Sequence, residues 1–395
     1  PTAAFAAEGD EGGNEATFGD VEYATLEAAV AEANKASLSG APTIRLLKDV
    51  ELEATLEIAT SVILDGAGHS ISGTDGNKEC LIHVTGAADR STVQDCIFLP
   101  GVGGNFGDGS KHGYLHIEAP VVTVSGCTFG SADGTGVPFI YNALEFTQST
   151  ETPLESATIS GNTFYGGQLS HNCINLYSFA EDAKVDISGN KYLEIDWTTT
   201  NPIRISNYTS ADVTVNITGD TLQYSSGVSG NNTAWEGLII LQDPSEENDP
   251  DDDFTKVTLN VTDLNAPADS QRLFYVYADH KGGILTDTNQ PVVTGDESLG
   301  RFFDAKVGDT FYATLADAIE AADAGAKVTL LDDVDNGEGI VIQDKTVTID
   351  FDGHTYTVTR KLAGSSGTQT QCFQLLQGSV VTLKNGAFAA KNSDI

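Results

Sequence analysis

Seven three-residue segments recur at nearly even intervals: Ile-His-Val from Ile82, Leu-His-Ile from Leu115, Leu-Glu-Phe from Leu144, Ile-Asn-Leu from Ile174, Ile-Arg-Ile from Ile203, Leu-Ile-Ile from Leu238 and Phe-Tyr-Val from Phe274. The steps are 33, 29, 30, 29, 35 and 36 residues. Side chains alternate along a strand, so the flanking apolar residues face a core and the middle ones face outward. The middle residues are His83, His116, Glu145, Asn175, Arg204, Ile239 and Tyr275. Close by in sequence are His171, Tyr177, Asp196, Trp197 and Tyr208. Such a stripe has usable chemistry. Glu145 can serve as a general acid or base with His116 beside it, and Arg204 can hold a carboxylate or sulfate. Asn175, His83 and Tyr275 offer hydrogen bonds, and Tyr177 or Trp197 can stack on a sugar ring. The plainer reading, and the preferred one, is a solvated sheet face, which must be polar whatever the protein does.

A second column lies between these segments: TVQDCIF from Thr92, TVSGCTF from Thr123, TISGNTF from Thr158, DISGNKY from Asp186 and NITGDTL from Asn216. Its steps are 31, 35, 28 and 30 residues, with NVTDLNA from Asn260 as a weaker member. Two columns with matching steps predict a solenoid with three short strands and turns per coil. Cys96, Cys127, Asn162, Asn190 and Asp220 then occupy one position on successive coils, where like residues lie about 4.8 Å apart. Asn at that position predicts a hydrogen-bonded ladder. Cys predicts small buried thiols in preference to a Cys96–Cys127 disulfide, although the spacing permits one. No Cys-x-x-Cys pair exists, so a cysteine zinc site is not supported.

The two ends of this pattern are alike. YATLEAAVAEAN runs from Tyr23 and YATLADAIEAAD from Tyr312. Leu26, Ala29, Val30 and Ala33 in the first, and Leu315, Ala318, Ile319 and Ala322 in the second, fall on one face of a helix. Thr25 and Thr314 are the expected N-caps, with Asp317 placed for a capping-box contact. The likeness continues: TIRLLKDV from Thr43 matches KVTLLDDV from Lys327, LDGAGHSIS from Leu64 matches IDFDGHTYT from Ile349, and CLIHVTG from Cys80 matches CFQLLQG from Cys372. Because both copies carry the Gly-His pair, His69 and His354 read as turn structure. An open solenoid end exposes apolar surface and strand edges, so it needs a cap. Two copies of the cap predict two solenoids.

This order of helix, I-x-L-L-x-D-V strand and L-D-G-x-G-H-x-I strand resembles a module of bacterial secreted and cell-surface proteins. There a helix caps a right-handed parallel β-helix of the pectate-lyase-like type. The resemblance covers about residues 17 to 98 and 305 to 388. It implies an all-β fold, a right-handed parallel β-helix with three short strands per coil and an N-terminal capping helix, started twice. It also implies that any polysaccharide site lies on one parallel sheet between loops. The motifs of two enzyme families with this fold are missing. The Asn-Thr-Asp and Gly-His-Gly of polygalacturonases are absent, Arg204-Ile205-Ser206 only partly echoes their Arg-Ile-Lys, and the arginine segment of pectate lyases is absent.

The expected organisation is a signal-peptide remnant and linker over 1–16, a first β-helix over 17–297, and a second cap and the start of a second β-helix over 305–395. Ala4-Phe5-Ala6 before Ala7 has the small-x-small form of a signal-peptidase site. The few coils after Ala305 lead us to expect that the natural chain continues. With 57 acidic and 20 basic residues the net charge is −37, which repels nucleic acid, anionic lipid and bare polyuronates. No stretch approaches the length of a membrane span. In the acidic segment Asp243 to Phe254, Asp249, Asp251 and Asp253 have calcium-like spacing. Phe254 and Asn260 stand where an EF-hand needs Gly and Glu. That segment reads as a solvated insertion, with weak Ca²⁺ binding as the alternative, and no other cofactor is expected. Trp235 reads as closing a loop against the coils. The functional expectation is a secreted or cell-wall-attached monomer acting as a non-catalytic adhesin, stalk or glycan-contact module. Its partner would be a polysaccharide, or a glycan or protein of a host or cell surface, with no nucleic acid and no membrane insertion. The alternative is a polysaccharide lyase or glycoside hydrolase using Glu145, Arg204 and His116.

Overall fold

A computed structural model describes residues 13–36, 40–74, 80–100, 113–132, 140–146, 151–196, 200–207, 209–226, 238–242, 254–268, 270, 273–277, 291–360, 363–364 and 371–390. About half of these residues form short strands, in three long, mainly parallel sheets of 16, 7 and 8 strands and two small ones of 3 and 2 strands. The chain visits the sheets in rotation. Arg90–Gln94 lies in the first, Ile97–Phe98 in the second and Leu115–Ile117 in the third. Val121–Ser125 then returns to the first sheet, parallel to Arg90–Gln94 and in register with it. This all-β rotation fits a β-helix.

The apolar interior follows from alternation within each strand. Val93, Val124, Ile159, Ile187, Ile217 and Val261 are Cα partners on successive strands of the first sheet, and each is at most 1% exposed. Phe98, Phe129, Phe164 and Tyr192 stack in the second sheet, with ring centroids 4.9–5.4 Å apart and planes within 11°. The turn between these two sheets repeats as well. Gly126, Gly161, Gly189 and Gly219 take φ of 63–68°, and Asp95 and Asp263 take 51° and 52° at the same place. Glycine and aspartate suit this left-handed position because they adopt it at low steric cost.

The expected ladder follows that turn. Asn162 Oδ1 accepts from Cys127 N (2.9 Å), Asn190 Oδ1 accepts from Asn162 N (3.0 Å), and Asp220 Oδ1 accepts from Asn190 N (2.9 Å). Tyr192 Oη donates to Asp220 Oδ2 at 2.9 Å. All five cysteines are free thiols. The Cys127 thiol bonding to Cys96, together with burial, holds the Cys96 thiol well above its ordinary range.

Two helices start the two copies. Helix α1 (Leu26–Lys35) buries Leu26, Ala29, Val30 and Ala33, and Ala28 N donates to Thr25 Oγ1 at 3.2 Å. Helix α2 (Leu315–Ala321) buries Leu315, Ala318 and Ile319, and Asp317 N donates to Thr314 Oγ1 at 3.1 Å. Before each helix stands a hairpin: Ala16–Phe18 with Val21–Tyr23, and Ala305–Val307 with Thr310–Tyr312. The second hairpin joins the copies. Thr310 pairs antiparallel with Thr294 of the first copy, so the 16-stranded sheet runs through both. Phe303 and Phe311 close the first apolar core, whereas Ala305 belongs to the second.

The match of Cys80 to Cys372 is corrected by one residue. Leu56 N donates to Leu81 O, and the corresponding Ile340 N donates to Cys372 O. Leu81, not Cys80, is therefore the counterpart of Cys372. The Gly-His turns do correspond: His69 Nδ1 lies 3.6 Å from Asp49 Oδ1, and His354 Nδ1 lies 3.8 Å from Asp333 Oδ1.

Candidate functional site

The third sheet carries the polar stripe. Glu57, His83, His116, Glu145, Asn175 and Arg204 are Cα partners on consecutive strands, followed by Ile240 and Tyr275. Position Ile239 is corrected here, because it pairs with Ile203 and faces the core. Leu238 to Leu241 is a continuous apolar run, so it contains no alternation from which register can be read.

The stripe is not an open solvated face. His83 and His116 are each 5% exposed, Glu145 is 2% exposed and Asn175 1%. Arg204 is half-buried, and its guanidinium lies over the Tyr177 ring at 5.5 Å. Asn175 Nδ2 donates to Tyr177 Oη at 2.9 Å, and Arg204 Nε donates to Ser206 Oγ at 3.3 Å. His171 stacks on Tyr141 with centroids 3.6 Å apart, and Asp196 O accepts from Thr200 N. The backbone of Tyr275 extends the sheet. Its side chain, together with Trp197, Tyr208, Trp235, Asp249, Asp251 and Asp253, lies outside the described residues.

Two residues that the motif reading passed over complete the cluster. Glu118 follows His116 by two positions, so strand alternation puts both on one face. Its N–H donates to Val84 O at 2.8 Å, which keeps it in register. Glu118 Oε1 lies 3.2 Å from His83 Nε2 and 3.7 Å from His116 Nε2. Glu57 stands one strand earlier, with Oε1 3.6 Å from His83 Nδ1. Glu145 Oε1 lies 3.8 Å from His116 Nδ1, and the two imidazole centroids are 5.3 Å apart. Both glutamates had a sequence signal: Leu-Glu-Ile at Leu56 has the stripe's own pattern, and Leu-His-Ile-Glu extends it by one alternation.

The carboxyl groups differ sharply. Burial pushes Glu145 up to about 8, partly offset by the hydrogen bond from Asn142 Nδ2 (2.6 Å) and the charge of Arg204. The hydrogen bond from His116 and the charge of His83 bring Glu118 down to about 2. A second amide ladder supports Glu145. Asn142, Asn172 and Asn201 are Cα partners, and Asn142 Oδ1 accepts from Asn172 N (3.1 Å) and Nδ2 (3.0 Å). Among the described residues, His83, His116 and Glu118 form the one group of three His, Cys, Asp or Glu side chains whose donor atoms converge, all within 4.8 Å of one another. Comparison with models of known families, with curated proteins and with solved structures finds no match.

Proposed function

We propose that the chain is a non-catalytic stalk unit of an extracellular surface protein, built from right-handed parallel β-helices of the pectate-lyase-like kind. The observation that carries this reading is the sheet of 16 strands that crosses the junction between the copies. Parallel strands stacked about 4.8 Å apart make such a sheet roughly 70 Å long. A rod of this kind holds its two ends at a fixed distance, which is what a spacer requires. A groove of about 310 Å³ on the outer side of the second sheet, lined by Asp49, Ser70, Thr128 and Tyr165 among others, offers a place for lateral glycan contact. Small-angle scattering and electron microscopy of the full chain test the proposal. Particles with one length and no bend support it, and particles jointed near residue 300 overturn it.

One observation favours the lyase or hydrolase reading: Glu145 is an acid near 8 with His116 and Arg204 at hand. Against it stands the burial of Glu145 and His116, which leaves a sugar little to touch. Release of reducing ends or unsaturated products from uronate polysaccharides, abolished by Glu145→Gln, would displace the stalk reading.

A further inference from the structure

Each imidazole at the centre of the stripe turns both its nitrogens toward carboxyl groups. His83 has Glu57 at Nδ1 and Glu118 at Nε2, and His116 has Glu145 at Nδ1 and Glu118 at Nε2. A neutral imidazole has one N–H and one lone pair, so it can donate on one side only. Glu118 must also serve two rings through one oxygen, Oε1. His116 Nδ1 is buried and lacks a hydrogen bond.

A cation among the three inner atoms resolves this arrangement. We propose that His83 Nε2, His116 Nε2 and Glu118 Oε1 bind a divalent transition-metal ion, with zinc as the representative. Each Nε2 then gives its lone pair to the metal, and each Nδ1–H points at an outer carboxyl oxygen, that of Glu57 for one ring and of Glu145 for the other. Metal-bound histidines usually have such a carboxylate behind them, which fixes the tautomer and the ring orientation.

Two of the three donor separations are close to what the ion needs, and all three donor atoms lie within 4.8 Å of one another. Zinc holds imidazole nitrogen at about 2.0–2.1 Å and carboxylate oxygen at about 2.0–2.2 Å, so neighbouring ligands of a tetrahedral set lie roughly 3.3–3.5 Å apart. Glu118 Oε1 lies 3.2 and 3.7 Å from the two nitrogens. Two imidazoles and one carboxylate are a borderline-soft set, suited to zinc, cobalt, nickel or iron(II). They are unsuited to calcium, which takes six to eight oxygens. The site also has an approach: the Glu118 side chain is 30% exposed and that of Glu57 60%. Three protein ligands leave a position for water or a further ligand.

The fold supplies this arrangement at little cost. Register pairs His83 with His116, and strand spacing alone sets two imidazoles side by side. The counterparts of Glu57 and His83 in the second copy are Val341 and Gln374, so the site belongs to the first copy only.

Calorimetric titration of the metal-free full chain with ZnCl₂ tests the proposal, with the visible spectrum of the Co²⁺ form as a second readout. The expected result is one ion per chain, bound at micromolar or lower concentration. His83→Gln or His116→Gln should weaken it by about 100-fold or more, and Glu57→Gln or Glu145→Gln by roughly 10-fold. His69→Gln and His354→Gln should leave it unchanged. Glu118→Gln changes a partly exposed side chain, so it carries the test if a histidine variant fails to fold; circular dichroism identifies that case. Zinc binding that survives Glu118→Gln in full, or that is weaker than about 100 μM in the unaltered chain, overturns the proposal.

Discussion

The two cap hairpins share backbone and register but differ in side chains, most of all at one outward pair. Thr17 pairs with Glu22 in the first, and Lys306 pairs with Phe311 in the second. Glu22 is exposed, and Asn14 Nδ2 donates to it at 2.7 Å. Phe311 is 3% exposed, with its ring 5.6 Å from Phe303 in the first core. The same hairpin therefore presents an exposed carboxylate before α1 and forms a wall between two cores before α2. The contrast is greatest where Glu22 stands in one hairpin and Phe311 in the other.

Exchanging the two residues breaks that comparison most directly. Phe311→Glu places a carboxylate against apolar side chains and removes a buried ring. We expect a loss of at least about 3–5 kcal/mol from the first copy, read by chemical denaturation and by faster amide exchange in Val257–Thr262 and Val292–Gly295. Glu22→Phe should leave stability nearly unchanged and favour end-to-end association, visible in sedimentation.

The aromatic stacks sharpen the contrast next. Phe164 lies fully buried between Phe129 and Tyr192, whereas Phe388 stacks on Tyr356 at the last strand of its sheet and is half-buried. Phe164→Ala should cost about 3–5 kcal/mol and Phe388→Ala roughly half as much. Equal costs in denaturant titrations would mean that the stack adds nothing beyond local packing.

Asp220 tests the ladder that the first copy has. Burial holds its carboxyl up at about 6, above the ordinary 3.8. The native state therefore keeps a proton that the unfolded chain releases, and this group's contribution to stability falls as pH rises from about 4 to 6. Asp220→Asn continues the amide ladder without the charge. It should gain on the order of 2–3 kcal/mol over the parent chain above pH 6 and nothing near pH 3. Melting curves at pH 3, 5 and 7 check the sign. The smallest effects belong to the caps: Thr25→Ala and Thr314→Ala should each cost about 1 kcal/mol, and similar values would confirm that the two helices start alike.

Where a feature repeats with alternation, the sequence placed it. The columns at Thr92 and Ile82, the helix faces and the Asn162–Asn190–Asp220 ladder all sit where their spacing puts them. Where alternation lapses, register was lost by one residue, at Leu238 to Leu241 and at Cys372. The ladder of Asn142, Asn172 and Asn201 had similar spacing, three residues before each stripe position, and was overlooked because its residues lie inside strands that read as apolar. The burial of His83, His116 and Glu145 was not legible at all, because it depends on what lies over the sheet, and coverage leaves no period in the strands beneath.

The wall between the cores also has a mechanical side. Within the first copy, neighbouring strands of the long sheet share up to six paired positions, as between Phe179–Ser188 and Val213–Thr218. Across the junction the sheet continues through a single pair, Thr294 with Thr310. Pulled along its axis, the rod would part first at this seam, separating Phe311 from the first core while the coils on either side stay wound. As the stalk proposed above, the chain would then yield in whole segments under load.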